Sequence, residues 1–463
     1  MVMHTIAPAR IVVAAPASGH GKTTVATGIM AALAARGLSV SPHKVGPDYI
    51  DPTYHAMATG RPGRNLDPFL VGSARIAPLF LHGTTTPQLA DIAIIEGVMG
   101  LYDGAVGRGE FASTAHVAKL LAAPLLLVVD ASSQGRSVAA LVEGFANFDE
   151  GVRIGGVVLN RVGSDRHERV LRMALDEIGI PVLGALARNE SVSSPSRHLG
   201  LIPVAERVDA AAKLVETLKD MAEEFLDLDA ILALANSAGR LSSPAWSPTE
   251  EIAACGGAIS ERPRIALFGG AAFTFQYAET LELLEAAGAE VVLVDPLMEI
   301  ELPLDTSGVL IGGGFPEMYA EALAKNVELR ERIAAFAGPI VAECAGLLYL
   351  ARSLDGHQMC GVVNAQAEMT DRLTLGYREA SAVADSLLTR TGEKYFGHEF
   401  HRTQCTLNAS VSERSAWSWE SEDVNFSDGY ADDRIHASYL HLHWAGSPQL
   451  AQRFVSACAK AGT

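Results

Sequence analysis

The first half of the chain alternates short apolar runs with longer segments of mixed polarity. Runs rich in Val, Ile and Leu predict strands at RIVVAA (10–15), IAIIEG (92–97), PLLLVVDAS (124–132), IGGVVLNRV (154–162) and PVLGALA (181–187). Strands that are apolar along their whole length and alternate with helices are typical of a parallel sheet covered on both faces. A helical segment from about Asp209 to Leu234 is expected to close this half.

The second half repeats this alternation after a stretch that has no period. Residues 236–263 are rich in Ser, Gly, Pro and Ala, which is typical of a linker. Further strands are predicted at RIALFGG (264–270), AEVVLVDP (289–296), SGVLIGGG (307–314) and GPIVAE (338–343). From about Gly361 the pattern becomes β-rich, and SPQLAQRFVSACAKA (447–461) predicts a final helix. We therefore expect an α/β protein with domains at 1–235 and 263–463, joined by a linker at 236–262.

Composition narrows the classes of function. The 463 residues fit two or three domains, and the net charge of -18 argues against a general nucleic-acid binder but leaves room for small anionic substrates. The apolar run 120–129 is too short to span a bilayer, and the N-terminus has no apolar signal core. Five cysteines without a C-x-x-C pair fit a reducing compartment. The sequence predicts a cytoplasmic protein without membrane or nucleic-acid partners.

A glycine-rich turn joins the first predicted strand to an Ala-rich helical pattern. In such a turn, backbone N–H groups and the start of the helix favour bound phosphate. The segment APASGHGKTT has Pro16 where the common G-x-x-x-x-G-K-[ST] loop has glycine. We expect Lys22 to reach the outer phosphates and Thr23 to hold Mg²⁺. The candidate nucleotide contacts are Gly19, Gly21, Lys22, Thr23 and Thr24.

Carboxylates near this loop are candidate ligands for Mg²⁺, which prefers hard oxygen atoms. KVGPDYIDPTYH carries two aspartates, and EGVMGLYDG begins at the carboxyl end of a buried strand. The candidate metal ligands are Thr23, Asp48, Asp51, Glu96 and Asp103. Four carboxylates exceed the need of one ion, which leaves three other roles open for some of them: binding a second metal, orienting a substrate or capping a helix.

Other polar residues are candidates for binding nucleotide or an anionic substrate. The amide of Asn160, at the end of an apolar strand, is positioned to contact a purine edge or to form a turn. Candidate cationic contacts are Lys44, Arg61, Arg64, Arg197, His198 and Arg402.

The second half carries a candidate nucleophile. Cys344 follows a buried strand and precedes a predicted helix, a geometry that exposes a side chain and lowers a thiol pKa. The glycines at 312–314 offer backbone N–H groups for an oxyanion. SYLHLHW supplies His441 and His443 at alternate positions, and either is a candidate base, with His441 preferred. Together these residues predict nucleophilic acyl transfer.

These motifs together resemble a known family. The ordered set APASGHGKTT, KVGPDYIDPTYH, NLDPF, EGVMGLYDG, RHLGL, GGGFPE, ECAG, GHEFHRT and SYLHLHW is similar to the cobyrinic or hydrogenobyrinic acid a,c-diamide synthases over nearly the whole chain. The resemblance implies a P-loop-type, dethiobiotin-synthetase-like ATP domain followed by a class I glutamine amidotransferase domain. It also implies substrate contacts by Asp48, Tyr49, Gly313 and Gly314, and catalysis by Cys344 and His441.

The implied chemistry couples two reactions. ATP and Mg²⁺ activate corrin carboxylates as acyl phosphates, and ammonia released from L-glutamine at Cys344 converts them into amides.

The resemblance leaves room for a homodimer. Many class I amidotransferases carry glutamate two residues after the histidine, whereas this chain has His443 there. Two alternatives stay open: a paralogue for another tetrapyrrole, of the nickel-sirohydrochlorin or cobyric acid type, and a nucleotide-switched binding protein with an inert second domain.

Overall fold

The computed structural model describes residues 7–188, 196–197, 200–407, 414–421 and 424–461. The chain divides into two compact units, Met1–Trp246 and Ser247–Thr463. This division falls inside the predicted linker, of which residues 248–254 form a helix; the predicted domain limits stay predictions. No helix within the described ranges is long and apolar enough to cross a bilayer. His198 and the side chain of Arg197 lie outside the described residues.

The first unit is a parallel sheet of seven strands with helices between them. The strands are β1 (Ala9–Ala14), β2 (Val40–Val45), β3 (Arg64–Leu66), β4 (Ile92–Glu96), β5 (Leu125–Asp130), β6 (Ile154–Val162) and β7 (Val182–Ala187), in the spatial order β3-β2-β4-β1-β5-β6-β7. A short antiparallel pair, β8 (Ser196–Arg197) and β9 (Gly200–Leu201), stands apart from this sheet. The five predicted strands are confirmed, and β2 and β3 were not predicted.

The helices of this unit are α1 (Lys22–Ala35), α2 (Asp51–Thr59), α3 (Pro68–Val71), α4 (Ser73–Thr85), α5 (Thr114–Leu120), α6 (Ser137–Asn147), α7 (Asp165–Asp176), α8 (Val208–Phe225) and α9 (Leu228–Asn236). The predicted helical tail is therefore two helices. Buried residues of β1, β4, β5 and α1 belong to one apolar cluster, which includes Val13, Val25 and Ile29. The parallel strands end at one edge of the sheet, which is where open α/β sheets bind their ligands.

The second unit contains a mostly parallel sheet in the order β11-β10-β12-β13-β21-β20 and a mostly antiparallel sheet in the order β15-β14-β16-β17-β22. Its elements in chain order are α10 (Pro248–Ala254), β10 (Arg264–Phe268), α11 (Ala278–Ala286), β11 (Glu290–Val294), β12 (Thr306–Ile311), α12 (Ala320–Lys325), α13 (Val327–Ala335), β13 (Ile340–Glu343), α14 (Ala345–Leu350), β14 (Ser353–Leu354), β15 (His357–Gln358), β16 (Ala365–Ala382), β17 (Lys394–Leu407), β18 (Trp417–Ser421), β19 (Val424–Asp428), β20 (Tyr430–Ala431), β21 (Ile435–Ser438), β22 (His441–Leu442) and α15 (Gln449–Ala461). The predicted strands, the β-rich region and the final helix are confirmed.

Candidate active sites

The phosphate loop lies between β1 and α1, as the sequence predicts. Gly21 precedes the helix with φ of 98°, in the left-handed region that favours glycine. A Cβ at Gly21 would overlap the amide nitrogen of Asn160. That nitrogen donates a hydrogen bond to His20 O at 2.8 Å, while Asn160 Oδ1 accepts one from the N–H of Arg161 at 2.9 Å. Asn160 therefore stabilises the phosphate loop through this hydrogen bond. Its predicted contact with a purine stays a prediction.

Lys22 opens α1 and points towards the loop that follows β4. Its Nζ donates to Ala17 O at 3.4 Å and to Met99 O. Burial lowers the pKa of Lys22 to about 8, the Lys44 ammonium adds to this, and the carboxylate of Glu96 opposes it. Phosphate oxygens would replace the backbone carbonyls as partners of this ammonium. Their negative charge would offset the cost of burying the Lys22 charge. Thr24, in the same helical turn as Thr23, keeps its predicted role as a nucleotide contact.

A buried cluster of charged groups lies beside the phosphate loop. Lys44 Nζ on β2 is 2.5 Å from Asp51 Oδ2 and 2.7 Å from Glu96 Oε1. The hydroxyl of Thr23 donates to the same two carboxylate oxygens, at 3.2 and 2.6 Å. Burial alone would lower the pKa of Lys44, but the surrounding carboxylates, Asp51 first, raise it. The sequence predicted Thr23, Asp51 and Glu96 as one site and Lys44 as a contact for an anionic substrate; the ion pairs of Lys44 with Asp51 and Glu96 were not predicted.

His55 is a member of this cluster that the sequence analysis missed. Its Nε2 lies 2.7 Å from Glu96 Oε2, and both side chains are fully buried. Burial opposes ionisation of Glu96, yet Lys44 and His55 lower the pKa of that carboxyl well below its usual value. A signal was present, because His55 follows Asp51 by four residues on α2 and so lies on the same face of the helix.

Asp48 and Asp103 are placed differently from Asp51 and Glu96. Asp48 Oδ1 accepts from the N–H of Ile50 at 2.7 Å, and its Oδ2 is 3.8 Å from Lys44 Nζ. Asp103 Oδ2 accepts from the N–H of Gly100 at 2.9 Å and closes a turn after β4. Tyr49 is buried beside Asp48. Their predicted contacts with substrate or metal stay predictions.

The donor set at Thr23, Asp51 and Glu96 fits Mg²⁺ in chemistry, since one hydroxyl and two carboxylates supply hard oxygens. Lys44 now bonds to both carboxylates, so an ion there would share them with the ammonium or replace it. Among residues that the structure describes, no group of three or more His, Cys, Asp or Glu has metal-site geometry as it stands.

Two of the predicted cationic contacts are engaged within the fold. The Arg61 guanidinium donates to Gly83 O and Thr86 O, both at 2.9 Å. Arg402 Nη1 donates to Asp371 O at 3.0 Å. Arg64 is buried on β3. Of the members of this set whose side chains the structure describes, Lys44 lies among the candidate site residues.

Cys344 occupies a sharp turn between β13 and α14. Its φ of 48° lies in the left-handed region, a strained conformation for a residue with a side chain, and its N–H donates to Ser438 O at 2.7 Å. The predicted strand–turn–helix elbow is confirmed. The predicted exposure and lowered pKa are wrong: the side chain is 3% exposed, and burial raises the pKa of the thiol above its usual value, with Glu317 adding to the effect. Burial disfavours the thiolate more than the short helix favours it.

The two candidate bases have different neighbours. His441 begins β22, and its ring lies against Gly313, where a Cβ would overlap His441 Cε1. His441 Nδ1 is 3.8 Å from Glu343 Oε2. His443 instead stacks on Tyr277, with ring centroids 4.2 Å apart, and its Nε2 is 3.7 Å from Glu279 Oε2. His441 thus contacts the glycine loop and the residue before Cys344, and this arrangement favours it over His443 as the base.

The glycine loop after β12 contacts the elbow through its backbone. Gly312 O accepts from the N–H of Gly346 at 3.1 Å. The N–H of Gly313 donates to Phe275 O at 3.3 Å, so that donor already has a partner within the fold. Binding of glutamine by Gly313 and Gly314 stays a prediction, and Gly314 is the better candidate for donating an N–H.

Comparison with known proteins covers both units. Residues 11–202 match the family described as the CobQ/CobB/MinD/ParA nucleotide binding domain, and residues 264–449 match the CobB/CobQ-like glutamine amidotransferase domain. The chain is 55% identical to the hydrogenobyrinate a,c-diamide synthase of Streptomyces coelicolor, over 97% of both chains. It is 52% identical to the protein of that name from Thermobifida fusca, over 97% of this chain and 96% of the relative. It is 41% identical to the cobyrinate a,c-diamide synthase of a Synechococcus species, over 97% of this chain and 98% of the relative.

Proposed function

Because this chain belongs to the family of hydrogenobyrinate and cobyrinate a,c-diamide synthases, we propose that it converts the a and c carboxylates of a corrin precursor into amides. ATP and L-glutamine are the co-substrates. The observation that carries the proposal is identity of 50% or more with hydrogenobyrinate a,c-diamide synthases over 97% of the chain. The same relatives favour the metal-free acid, hydrogenobyrinate, as the substrate over cobyrinate.

The first unit activates the carboxylate. A carboxylate is a poor electrophile because oxide would have to leave, and phosphorylation supplies a better leaving group. The proposed attack of a corrin carboxylate on the γ-phosphate of ATP gives an acyl phosphate and ADP. Lys22 and the loop N–H groups hold the phosphates and stabilise the charge that develops on them. Thr23, Asp51 and Glu96 would hold Mg²⁺, which supplies charge neutralisation when bound.

The second unit releases ammonia. His441 takes the proton of the Cys344 thiol, the thiolate attacks the side-chain amide carbon of glutamine, and the amide nitrogen leaves as ammonia after His441 returns the proton. Water then hydrolyses the thioester to glutamate. The ammonia attacks the acyl phosphate, and phosphate leaves. Production of neutral ammonia within the protein matters because ammonium, which dominates near neutral pH, is not nucleophilic.

Product masses test this proposal. The protein is incubated with Mg²⁺, ATP and glutamine, and with either hydrogenobyrinic or cobyrinic acid. Each carboxyl-to-amide conversion replaces a hydroxyl by an amino group, so mass spectrometry counts the amides formed. We expect a diamide from hydrogenobyrinic acid, and a lower kcat/KM for cobyrinic acid. The absence of any amide from both acids would contradict the proposal.

The cytoplasmic location and the homodimer predicted from the sequence belong to the same proposal. A sedimentation measurement tests whether the protein is a homodimer.

A further inference from the structure

Glu343, the residue immediately before Cys344, faces His441. Its Oε2 is 3.8 Å from His441 Nδ1, a distance that suits an ion pair and is too long for a hydrogen bond. The side chains are 16% and 0% exposed, so little water screens this pair. The contact joins the end of β13 to the start of β22, and it places a carboxyl group next to both members of the proposed glutaminase pair.

The Glu343 carboxyl is held in place by the segment that follows His441. Its Oε1 accepts a hydrogen bond from the indole N–H of Trp444 at 3.2 Å. The backbone N–H of Leu442 is a second donor to the carboxyl. These two donors hold the carboxyl group in place, and its Oε2 lies towards the imidazole. This is the arrangement expected of a residue that orients a catalytic histidine.

We propose that Glu343 is the positioning residue of the glutaminase centre, orienting His441 and stabilising the imidazolium that forms when His441 takes the thiol proton. The proposal rests on the proposed hydrolysis of glutamine at Cys344. It assigns the third role of a nucleophile–base–acid set to the residue before the nucleophile, because the position two residues after His441 is occupied by His443.

The proton transfers of the proposed reaction are consistent with a positioning role for Glu343. With Nδ1 facing Glu343, Nε2 of His441 is the nitrogen that accepts the thiol proton. The proton moves from Sγ to Nε2 while the C–S bond forms, and then from Nε2 to the departing amide nitrogen. A carboxylate beside Nδ1 stabilises the positive ring between these two transfers and keeps the hydrogen on Nδ1.

The surroundings of His441 disfavour a charged ring in the resting protein. Burial lowers the pKa of His441 well below its usual value, and His398 and His401 add to that. His398 stacks on His441 with ring centroids 5.0 Å apart. Burial also raises the pKa of Glu343 to about 8. Among the described residues, those that face His441 include Glu343, His398, His401, Phe275 and Gly313, and of these five Glu343 is the acidic group.

A second buried pair in the same unit provides a matched control. His443 and Glu279 approach to 3.7 Å, and both side chains are at most 1% exposed. A purely structural contribution from a buried Glu–His contact would be similar at the two places. A catalytic contribution would appear at Glu343 alone, because His441 is the histidine beside the elbow.

The experiment compares Glu343→Gln, Glu343→Asp, Glu279→Gln and Cys344→Ala in the full chain. We measure kcat and KM for glutamine hydrolysis across pH, thermal midpoints, and corrin amidation with ammonium chloride as nitrogen source. We expect Glu343→Gln to lower the glutaminase kcat about 10²-fold with KM unchanged. Ammonium-dependent amidation should be retained. Glu279→Gln should hydrolyse glutamine like the wild type.

The pH profile distinguishes positioning from packing. Only the ionised carboxylate stabilises an imidazolium, so the wild-type glutaminase kcat/KM should gain a rising limb near pH 8. Glu343→Gln should lack this limb, and Glu343→Asp, which keeps the charge, should retain it at a reduced kcat. If Glu343→Gln fails to fold, the proposal is tested by the kcat and pH profile of Glu343→Asp.

Three outcomes overturn the inference or its premise. Wild-type glutaminase activity in Glu343→Gln, with none in Cys344→Ala, overturns the inference and leaves the proposed function standing. A loss in Glu279→Gln equal to that in Glu343→Gln also overturns it. Undiminished glutamine hydrolysis by Cys344→Ala overturns the proposed glutaminase itself.

Discussion

At position 313 the fold leaves no room for a side chain. A methyl group there would overlap Cε1 of His441 and press on the ring of Phe275. Since His441 is fully buried, its ring would have to shift rather than move out into solvent. Glycine at this position therefore determines where the proposed base lies relative to the elbow.

Gly313→Ala should consequently impair glutamine hydrolysis and spare the rest of the reaction. We expect the glutaminase kcat to fall about 10²-fold, since misplacing a catalytic group by about 1 Å costs that much. Amidation with ammonium chloride should persist. Gly269→Ala is the control, because nothing lies within 4 Å of a Cβ built there. Equal glutaminase activity in both variants would argue against a role for the Gly313–His441 contact.

The buried ion pairs of Lys44 give a prediction about the stability of the first unit. Lys44→Met leaves the carboxylates of Asp51 and Glu96 buried without their cation, which should cost about 3–5 kcal/mol of unfolding free energy. Lys119 also bridges two carboxylates, those of Glu110 and Asp149, but its side chain is 26% exposed. Lys119→Met should cost about 0–1 kcal/mol.

Hydrogen exchange of peptides from β1 and β4 over a urea series measures both variants, because it reports on the first unit alone. Equal losses at positions 44 and 119 would show that the buried cluster does not depend on its ammonium.

At the scale of elements, strand β2 is a strand that the pattern of apolar residues did not predict. Its six residues, VSPHKV, are all buried, although proline, histidine and lysine are uncommon in a central strand. Their polar groups are satisfied by other elements: Ser41 bonds to Gly83 O, and Lys44 bonds to Asp51 and Glu96. A pattern read along one segment identifies strands whose neighbours are apolar, as it did for β1, β4 and β5. It does not identify a strand whose burial depends on distant partners.

The contact between β17 and the final helix α15 gives a prediction about pH. Glu393, next to the start of β17, makes two 2.7 Å hydrogen bonds with Arg453 of α15. Arg453 lowers the pKa of Glu393 to about 2 from the ordinary 4.5. Because the ionised form is favoured in the folded state, this contribution is full above about pH 4.5 and is lost as the pH falls through 2.

Glu393→Gln should therefore lower the unfolding free energy by about 1 kcal/mol at pH 7, a value that allows for partial exposure of the pair. Tryptophan fluorescence during urea unfolding follows mainly the second unit, which holds Trp417, Trp419 and Trp444. The difference between variant and wild type should shrink towards pH 2. A difference that is constant from pH 7 to pH 2 would contradict the ion-pair interpretation.

The candidate sites were predicted in part, for a physical reason. Motifs that are continuous in sequence, such as the phosphate loop and the Cys344 elbow, were correctly located because an apolar strand, a turn and a helix follow one another directly along the chain. Contacts between remote segments, such as Glu343 with His441 or His55 with Glu96, depend on how strands are ordered in the sheets. The burial that raises the pKa of Cys344 likewise comes from the packing of the whole second unit.

At the scale of the whole molecule, the proposed function assigns two different reactions to one chain. The unit up to residue 246 carries the phosphate loop and the Lys44 cluster, and the unit from residue 247 carries Cys344 and His441. The two activities should therefore be separable by mutation. Substitution of Cys344 should remove only the nitrogen supply, while substitution of Lys22 should remove amidation from every nitrogen source.

The most direct test of this claim is amidation of hydrogenobyrinic acid by Cys344→Ala, counted by mass spectrometry, with glutamine or with ammonium chloride as the nitrogen source. The proposed mechanism predicts no amide with glutamine and a diamide with ammonium chloride, each with ATP present. A variant that makes diamide from glutamine, or that makes none from ammonium chloride while correctly folded, would contradict it.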